Sequence, residues 1–463
     1  MVVVCAASFL VVLDVSIVSV ALPTLRRELE VPPGLLPWVL NAYALPFGGF
    51  LLVGGRLGDI LGPRRVFLAG LVLLTIASCV AGLAPAIDML IAARAAQGLG
   101  AAVLSPAALA LLAHLVPDGP RRAWALGVSG AIAALGYTIG TALGGALTDL
   151  LSWRWALLAA VPVALAVMVA TPLVVPAVPA VQRGRHLDVP GALAVTLGLA
   201  ALLYPLTSAA QTAWSPPLVG LATIGILLLV AFVVVEARTA MPLLPLSFFG
   251  VRTTAVANAT ALLKSSVGIA NVYVPTLYFQ QVLGYPPWLA GLAFVPAGIT
   301  AVIAGVLAGR AVHRLGGTKR TLVLGLLIQT AGMLLMTNLP EQGAWPGLLL
   351  GMLAEVIGYV VADVAIALVA LADLAPDQRG LGAGLLRTSS QVGAAIGLGV
   401  IAAVVLARQA ALGGQSAGAG ALVGGLQVGV LAGAGLTLLA LVLVTLALPP
   451  APTISHRNSA AGA

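Results

Sequence analysis

Fourteen predominantly apolar stretches constrain this chain more than anything else in it. They cover 2–23, 35–56, 65–85, 87–115, 123–149, 154–176, 189–209, 217–235, 254–283, 288–309, 321–337, 346–373, 381–406 and 422–448, with charged or Pro/Gly clusters between them. Most reach the roughly 20 residues that carry an α-helix across a bilayer. The stretch 321–337 is short, and 254–283 is long with Pro275 inside it, so these two have the least certain limits. Only 8% of the 463 residues are charged, against 61% hydrophobic. A soluble domain carries about 25% charged residues, so this chain cannot build an aqueous surface. In lipid the backbone must satisfy its own hydrogen bonds, and the fold class expected is an all-α polytopic membrane protein of fourteen transmembrane helices.

The first stretch, MVVVCAASFLVVLDVSIVSVALP, lacks a basic start, is too long for a signal peptide, and is interrupted by Asp14. It reads as a retained first helix. Cys5 and Cys79 both fall inside apolar runs, so neither a disulfide framework nor a metal site is implied. The formal charge of +8 follows the loops rather than marking a nucleic-acid binder. Placing the N-terminus inside puts Arg56, Arg64, Arg65, Arg121, Arg122, Arg183, Arg185, Arg238, Arg252, Arg310, Arg314, Lys319, Arg320, Arg379 and Arg457 in cytoplasmic segments. Arg26, Arg27, Arg154 and Arg408 alone fall outside. This positive-inside asymmetry predicts that both termini are cytoplasmic.

The chain also repeats weakly. GGRLGDILGPRR at 54–65 returns as AGRAVHRLGGTKR at 308–320, aligning Arg56 with Arg310, Gly62 with Gly316 and Arg65 with Lys319. Two such copies suggest two bundles related by an axis along the membrane normal. The expected division is an N-terminal six-helix bundle (1–176), a linker with an inserted helix pair (177–236), a cytoplasmic interfacial segment (237–253), a C-terminal six-helix bundle (254–448) and a disordered cytoplasmic tail (449–463).

Several motifs in this order carry a family resemblance: LDVSIVSVALP at 13–23, WVLNAYAL at 38–45, GRLGDILGPRR at 55–65, RAAQGLGAA at 94–102, GYTIGTALGG at 136–145, WRWALLAAVP at 153–162, YFQQVLGYPP at 278–287 and RGLGAGLLRTSSQVGAAIG at 379–397. The chain resembles the fourteen-helix drug:proton antiporters of the major facilitator superfamily, the QacA/EmrB-type multidrug exporters. There are two departures. Thr141 follows Gly140 where the antiporter motif usually has proline, and Ala160 replaces an asparagine. The resemblance implies that Gly55, Asp59, Gly62, Arg64 and Arg65 form a cytoplasmic gating loop. It also makes Gly136, Gly140, Gly144 and Gly145 the antiporter-motif helix, although four-residue glycine spacing is equally plain helix packing.

A carboxylate at the bilayer centre costs roughly 2.5–3.5 kcal/mol, so Asp14 needs a partner or a task. At 1.5 Å per residue it lies about 13 Å below Pro23, and Arg94 lies about 10 Å below Ile87. The resemblance places both helices on a central cavity, where Asp14 and Arg94 could form a static ion pair or a proton-coupling site. The second half mirrors them, with Lys264 at mid-depth and Glu355 about 13 Å from its outer end. Lys264, Asn271 and Tyr278 are seven apart and so share a helix face. The expected proton-coupling residues are Asp14, Arg94 and Glu355. The expected cavity comprises Asp14, Asn41, Tyr137, Lys264, Asn271, Tyr278 and Glu355, and Asp363 with Arg387 is expected to be a structural ion pair.

The resemblance implies export of hydrophobic small molecules in exchange for protons by alternating access, from the plasma membrane of a bacterial-type cell. The alternative is proton-coupled uptake on the same fold. Lys264 disfavours a cationic ligand unless Glu355 neutralises it, so the substrate is either cationic or acidic. Motifs such as HExxH and GxSxG are absent and the chain has four histidines, which argues against an enzyme. The expected partners are a small substrate, protons and the lipid bilayer. No cofactor, metal or nucleic acid is expected, and the protein is expected to be a monomer.

Overall fold

The computed structural model describes residues 1–32, 35–36, 38–116, 120–177, 189–212, 215–239, 246–268, 270–315, 317–340, 346–374, 379–414 and 418–448. Among them there are helices and no strands. In chain order they are α1 (Val2–Glu28), α2 (Trp38–Leu61), α3 (Pro63–Gly82), α4 (Ile87–Leu115), α5 (Pro120–Leu150), α6 (Trp153–Leu158), α7 (Ala160–Val174), α8 (Val189–Thr212), α9 (Pro216–Arg238), α10 (Arg252–Gly268), α11 (Ala270–Leu277), α12 (Pro287–Leu292), α13 (Val295–Arg314), α14 (Thr318–Met336), α15 (Pro346–Leu371), α16 (Arg379–Ala411) and α17 (Gly418–Ala447). Each apolar stretch of the sequence falls on one helix or on a helix interrupted once or twice. Ten spans among the described residues are long and apolar enough to cross a membrane. The fold is thus an all-helical, multi-pass membrane fold. The tail expected at 449–463 and the side chain of Asp59 lie outside the described residues.

Local chemistry sets the helix limits. Five helices begin on proline (Pro63, Pro120, Pro216, Pro287 and Pro346), where the missing N–H is not needed and the fixed φ suits a first turn. The two loop copies each turn on a glycine that precedes a helix, Gly62 with φ 91° and Gly317 with φ 130°. Only glycine adopts such angles without strain. Gly317 therefore precedes its helix as Gly62 does, one residue beyond the position the sequence alignment paired with Gly62. The segment expected at the membrane interface begins as the last turn of α9. After residues outside the described set it forms a 3₁₀ turn, Leu246–Gly250, whose Phe248 packs on Leu374 and Leu385.

The buried side chains separate into cores drawn from residues 3–175 and from 256–448. Helix pairings recur between these halves: α1 with α5 as α10 with α16, α2 with α4 as α13 with α15, and α3 with α4 as α14 with α15. The halves meet where α5 packs on α12 and α13, and where α2 packs on α16. Helix α8 pairs with α9 and rests on α2 and α16, and α9 shows most of its apolar surface outward.

Glycine makes the α1–α5 contact possible. A Cβ on Gly136 or Gly144 would lie 2.7 Å from the Phe9 or Ile17 carbonyl oxygen, and one on Gly140 would lie 2.0 Å from Ser16 Oγ. Gly145 is buried on the same helix. The second half uses the same device, with Gly393 and Gly397 on α16 against Leu262 and Ser266 of α10. A Cβ on Gly397 would fall 2.0 Å from the Ser266 carbonyl oxygen, a backbone atom that cannot rotate away. Gly→Ala inside a helix ordinarily stabilises by about 1 kcal/mol. Gly397→Ala is expected to do the reverse by about 1–3 kcal/mol through overpacking, read as a lower melting temperature in detergent. A higher one would show that α10 and α16 separate freely.

Candidate functional site

A cavity of about 1140 Å³ lies between the two halves, large enough for a drug-sized molecule. Helical periodicity builds its walls. On α1, Ser8, Val12, Val15 and Ser19 face it, and on α16 Arg387, Gln391, Ala394, Leu398, Ala402, Val405 and Gln409 do so at three- and four-residue steps. The α16 stripe is polar at both ends and apolar between. Five of the chain's seven tyrosines (Tyr43, Tyr137, Tyr273, Tyr285 and Tyr359) stand on the walls. The lining is therefore an apolar, aromatic surface with scattered hydroxyls, suited to lipophilic ligands with a few polar groups. Tyr137 of α5 meets Phe294, beside α12, edge-on at 6.3 Å across the two halves.

Glu355 is the acid in the middle of this lining. Its side chain is almost fully buried, and both oxygens are held by amides: Asn271 Nδ2 donates to one and Gln329 Nε2 donates to the other at 3.0 Å. Among the described residues no basic side chain reaches it. Asn271 Oδ1 and Gln329 Oε1 are themselves buried without a hydrogen-bond partner. By turning over, each amide would place its oxygen to accept a hydrogen bond from a neutral Glu355 instead of donating one to the carboxylate. Gln329 was not among the candidates read from sequence. Its signal is a lone glutamine within the apolar run 321–337.

Asp14 is placed differently. It is completely buried, and Arg94 Nη1 donates to its Oδ2 at 2.7 Å. Gln97 Nε2 donates to its Oδ1 at 2.8 Å and to Ser78 Oγ at 2.9 Å, while Gln97 Oε1 accepts from Arg94 at 3.0 Å. Arg94 Nε also donates to the Val39 carbonyl. Tyr43 covers the group, with the guanidinium 4.5 Å from its ring centre and the ring itself on the cavity wall. Asp14 and Arg94 do pair, but behind a tyrosine and not on the cavity. Gln97, three residues after Arg94 on the same helix face, completes the network and was missed although it stands in the quoted RAAQGLGAA.

Other expectations need correction. Asp363 is in direct contact with Lys264 at 2.7 Å, while Arg387 acts on it only from a distance, and Lys264 makes no direct contact with Glu355. The geometry gives the reason. Thr253 and Thr254 at the start of α10 bond Asp373 and Ala370 near the end of α15, so the two helices run antiparallel. Side chains lean toward their own helix N-terminus. Lys264 therefore reaches toward the C-terminal half of α15, where Asp363 lies, and its ammonium also sits 3.3 Å from the Tyr359 ring centre.

Tyr278 does not line the cavity. It is fully buried and donates to the Pro340 carbonyl at 2.7 Å. A π-turn at Tyr278–Val282 and the interruption between α10 and α11 break the seven-residue phase that linked Tyr278 to Lys264 and Asn271. Asn41 and Lys264 are likewise buried off the cavity, so Tyr137, Asn271 and Glu355 are the expected cavity residues that line it.

In the gating loop, Arg64 donates to the Pro172 carbonyl at the end of α7 at 3.0 Å, tying the turn to its own half. Arg65 is exposed and Gly55 is half-buried.

Comparison with known proteins agrees with this architecture. The sequence profile of the Major Facilitator Superfamily matches residues 4–398. The chain is 39% identical over 408 residues to the cephamycin export protein CmcT of Amycolatopsis lactamdurans, covering 86% of this chain and 83% of that protein. It is 38% identical to the puromycin resistance protein pur8 of Streptomyces alboniger, covering 87% and 80%. It is 34% identical to the lincomycin resistance protein of Streptomyces lincolnensis, covering 85% and 82%. The structure of the human organic anion transporter MFSD10 (TETRAN) superposes with a TM-score of 0.63 at 20% identity, over 96% of this chain and 98% of that one, a likeness of fold.

Proposed function

The chain belongs to the major facilitator superfamily and is a membrane transporter rather than an enzyme; from that premise we propose that it exports lipophilic small molecules from the cell in exchange for protons, with Glu355 as the acid that carries the proton. Antibiotic export and resistance proteins as similar as these support the direction of transport and the substrate class. One observation carries the coupling site. Glu355 stands on the cavity wall without a basic side chain in direct contact among the described residues, between two amides whose free oxygens can accept a hydrogen bond from its neutral form. A proton carrier must be stable both charged and neutral, and this arrangement serves both forms.

Asp14 and Arg94 then have a structural task, since their charges cancel out of reach of the cavity. In this reading all fourteen apolar stretches cross the membrane, as bundles 1–176 and 254–448 with 187–236 as an inserted pair, and both termini are cytoplasmic. The cavity reaches Arg26, Arg27 and Asp149 at the ends of α1 and α5 that this topology places outside. The protein works as a monomer in the plasma membrane by alternating access, without a cofactor. The gating loop holds the cytoplasmic ends of the bundles.

Purified protein in liposomes, with a pH gradient imposed across the membrane, tests the export reading. Lipophilic compounds such as ethidium should accumulate on the acidic side and redistribute when nigericin collapses the gradient. Movement of substrate in the same direction as protons would instead establish uptake by symport. Gradient-independent equilibration would remove proton coupling altogether.

A further inference from the structure

Arg387 is a cation with no assigned task. It stands on α16 eight residues from the start of that helix, about 12 Å along its axis. Its side chain is exposed on the cavity wall, and it makes no ion pair or hydrogen bond with any described residue. The acid nearest to it in the sequence reading, Asp363, is already bound to Lys264. That lysine is in turn held by the Tyr359 carbonyl at 3.3 Å and by the Tyr359 ring; the charge of Arg387 also acts on Asp363, but Arg387 makes no direct contact with that carboxylate and its side chain lines the cavity. An arginine at such depth is expensive unless water, a partner or a ligand meets it, and its presence there points to function.

Besides Arg26, Arg27 and Asp149 at one end, the cavity lining thus holds two ionisable groups of opposite kind that make no direct ion-pair contact among the described residues, Glu355 and Arg387. Glu355 and Asp363 are eight residues apart on α15, about 12 Å along the helix, and Arg387 lies toward the Asp363 end. The α16 wall beyond Arg387 passes through Gln391 to Ala394 and Leu398, so the space between the two charges is mostly apolar. Resting on the export reading above, we propose that the cavity takes an amphoteric substrate. Its carboxylate is held by Arg387 and its amine by Glu355, with an apolar body between them. The guanidinium offers a planar fork of donors that matches a carboxylate's two oxygens. The amine end explains exchange, because an ammonium and a proton compete for the same Glu355 oxygens. The carboxylate end adds affinity without entering that competition.

The test uses full-length protein in phosphatidylcholine nanodiscs and two fluorescent probes. Norfloxacin has an amine and a carboxylate at opposite ends of a flat ring system, and its methyl ester lacks the acid. Wild type is expected to bind the acid at least about tenfold more tightly than the ester by calorimetric titration. Arg387→Gln should bring that ratio to about one, and Arg387→Lys should restore part of it. Glu355→Gln should weaken both probes while keeping the ratio. An acid-to-ester ratio near one in wild type, a ratio that survives Arg387→Gln, or no binding of either probe would each overturn the inference. So would loss of the ratio on adding phosphatidylglycerol, which would assign Arg387 to a lipid headgroup. Arg387 makes no direct contact to lose, and a melting temperature close to wild type confirms that the variants are folded. Wild-type transport of the ester in liposomes examines the export reading separately: an intact binding ratio without gradient-driven transport would sink export and leave Arg387 standing.

Discussion

Glu355→Gln abolishes gradient-driven export, lowering accumulation of substrate in acid-loaded liposomes by about a hundredfold. With one proton exchanged per substrate, a gradient of about two pH units supports at most about a hundredfold accumulation, each tenfold being about 1.4 kcal/mol, and an uncoupled variant loses all of it. The substitution keeps the size and shape of the side chain and fixes it in a neutral form. Asn271 and Gln329 can follow by turning their amides, since each has a free oxygen to offer, so the protein should fold with a melting temperature close to wild type. Substrate exchange without a gradient should persist at reduced affinity, because alternating access itself needs no titration of Glu355. Retention of full gradient-driven accumulation would transfer the coupling role to another acid. Asn271→Leu is a companion variant. It leaves one carboxylate oxygen without a donor and so favours the neutral acid, which should shift the pH dependence of export upward. Export should then persist to higher pH than in wild type.

The helices were legible because a membrane span must be long, apolar and helical, and because prolines and glycines mark the turns between them. Asp14 and Arg94 could be paired from depth alone, since both helices are uninterrupted from their outer ends to those residues. Glycine spacing at Gly136, Gly140 and Gly144 marked a close helix approach without naming its partner, which the structure shows to be α1, and the same signal at Gly393 and Gly397 stood unread in RTSSQVGAAIG. The second half was harder. Depth arithmetic assigns a residue's Cα and not where its side chain points. Lys264 has a four-carbon stem that leans back along α10, which moves its charge more than a turn toward Asp363. The π-turn at Tyr278 follows from no local pattern in YFQQV, so a seven-residue spacing that crosses it lost its meaning. What faces the cavity and what is sealed beside it depends on a single ring, Tyr43, whose place is set by packing between α2 and α4.

Asp14→Asn is expected to destabilise the folded protein by about 3–5 kcal/mol, as breaking a buried pair from one side does, and to leave little monodisperse material in detergent. The pair is asymmetric. Arginine cannot shed its proton, so loss of the carboxylate strands a full positive charge with only Val39, Gln97 and the face of Tyr43 around it. Arg94→Gln should cost less, because Asp14 can take up a proton and stay neutral with Gln97 still beside it. The double variant Asp14→Asn with Arg94→Gln should then be more stable than Asp14→Asn alone, since it removes the stranded charge along with its partner. Melting temperatures would rank the double variant and Arg94→Gln above Asp14→Asn. The opposite pattern is equally specific: a well-folded Asp14→Asn that binds substrate yet ignores the pH gradient would mean that Tyr43 opens during the cycle and that Asp14 titrates. The sealed network argues otherwise, because Tyr43 separates the Asp14–Arg94 pair from the cavity.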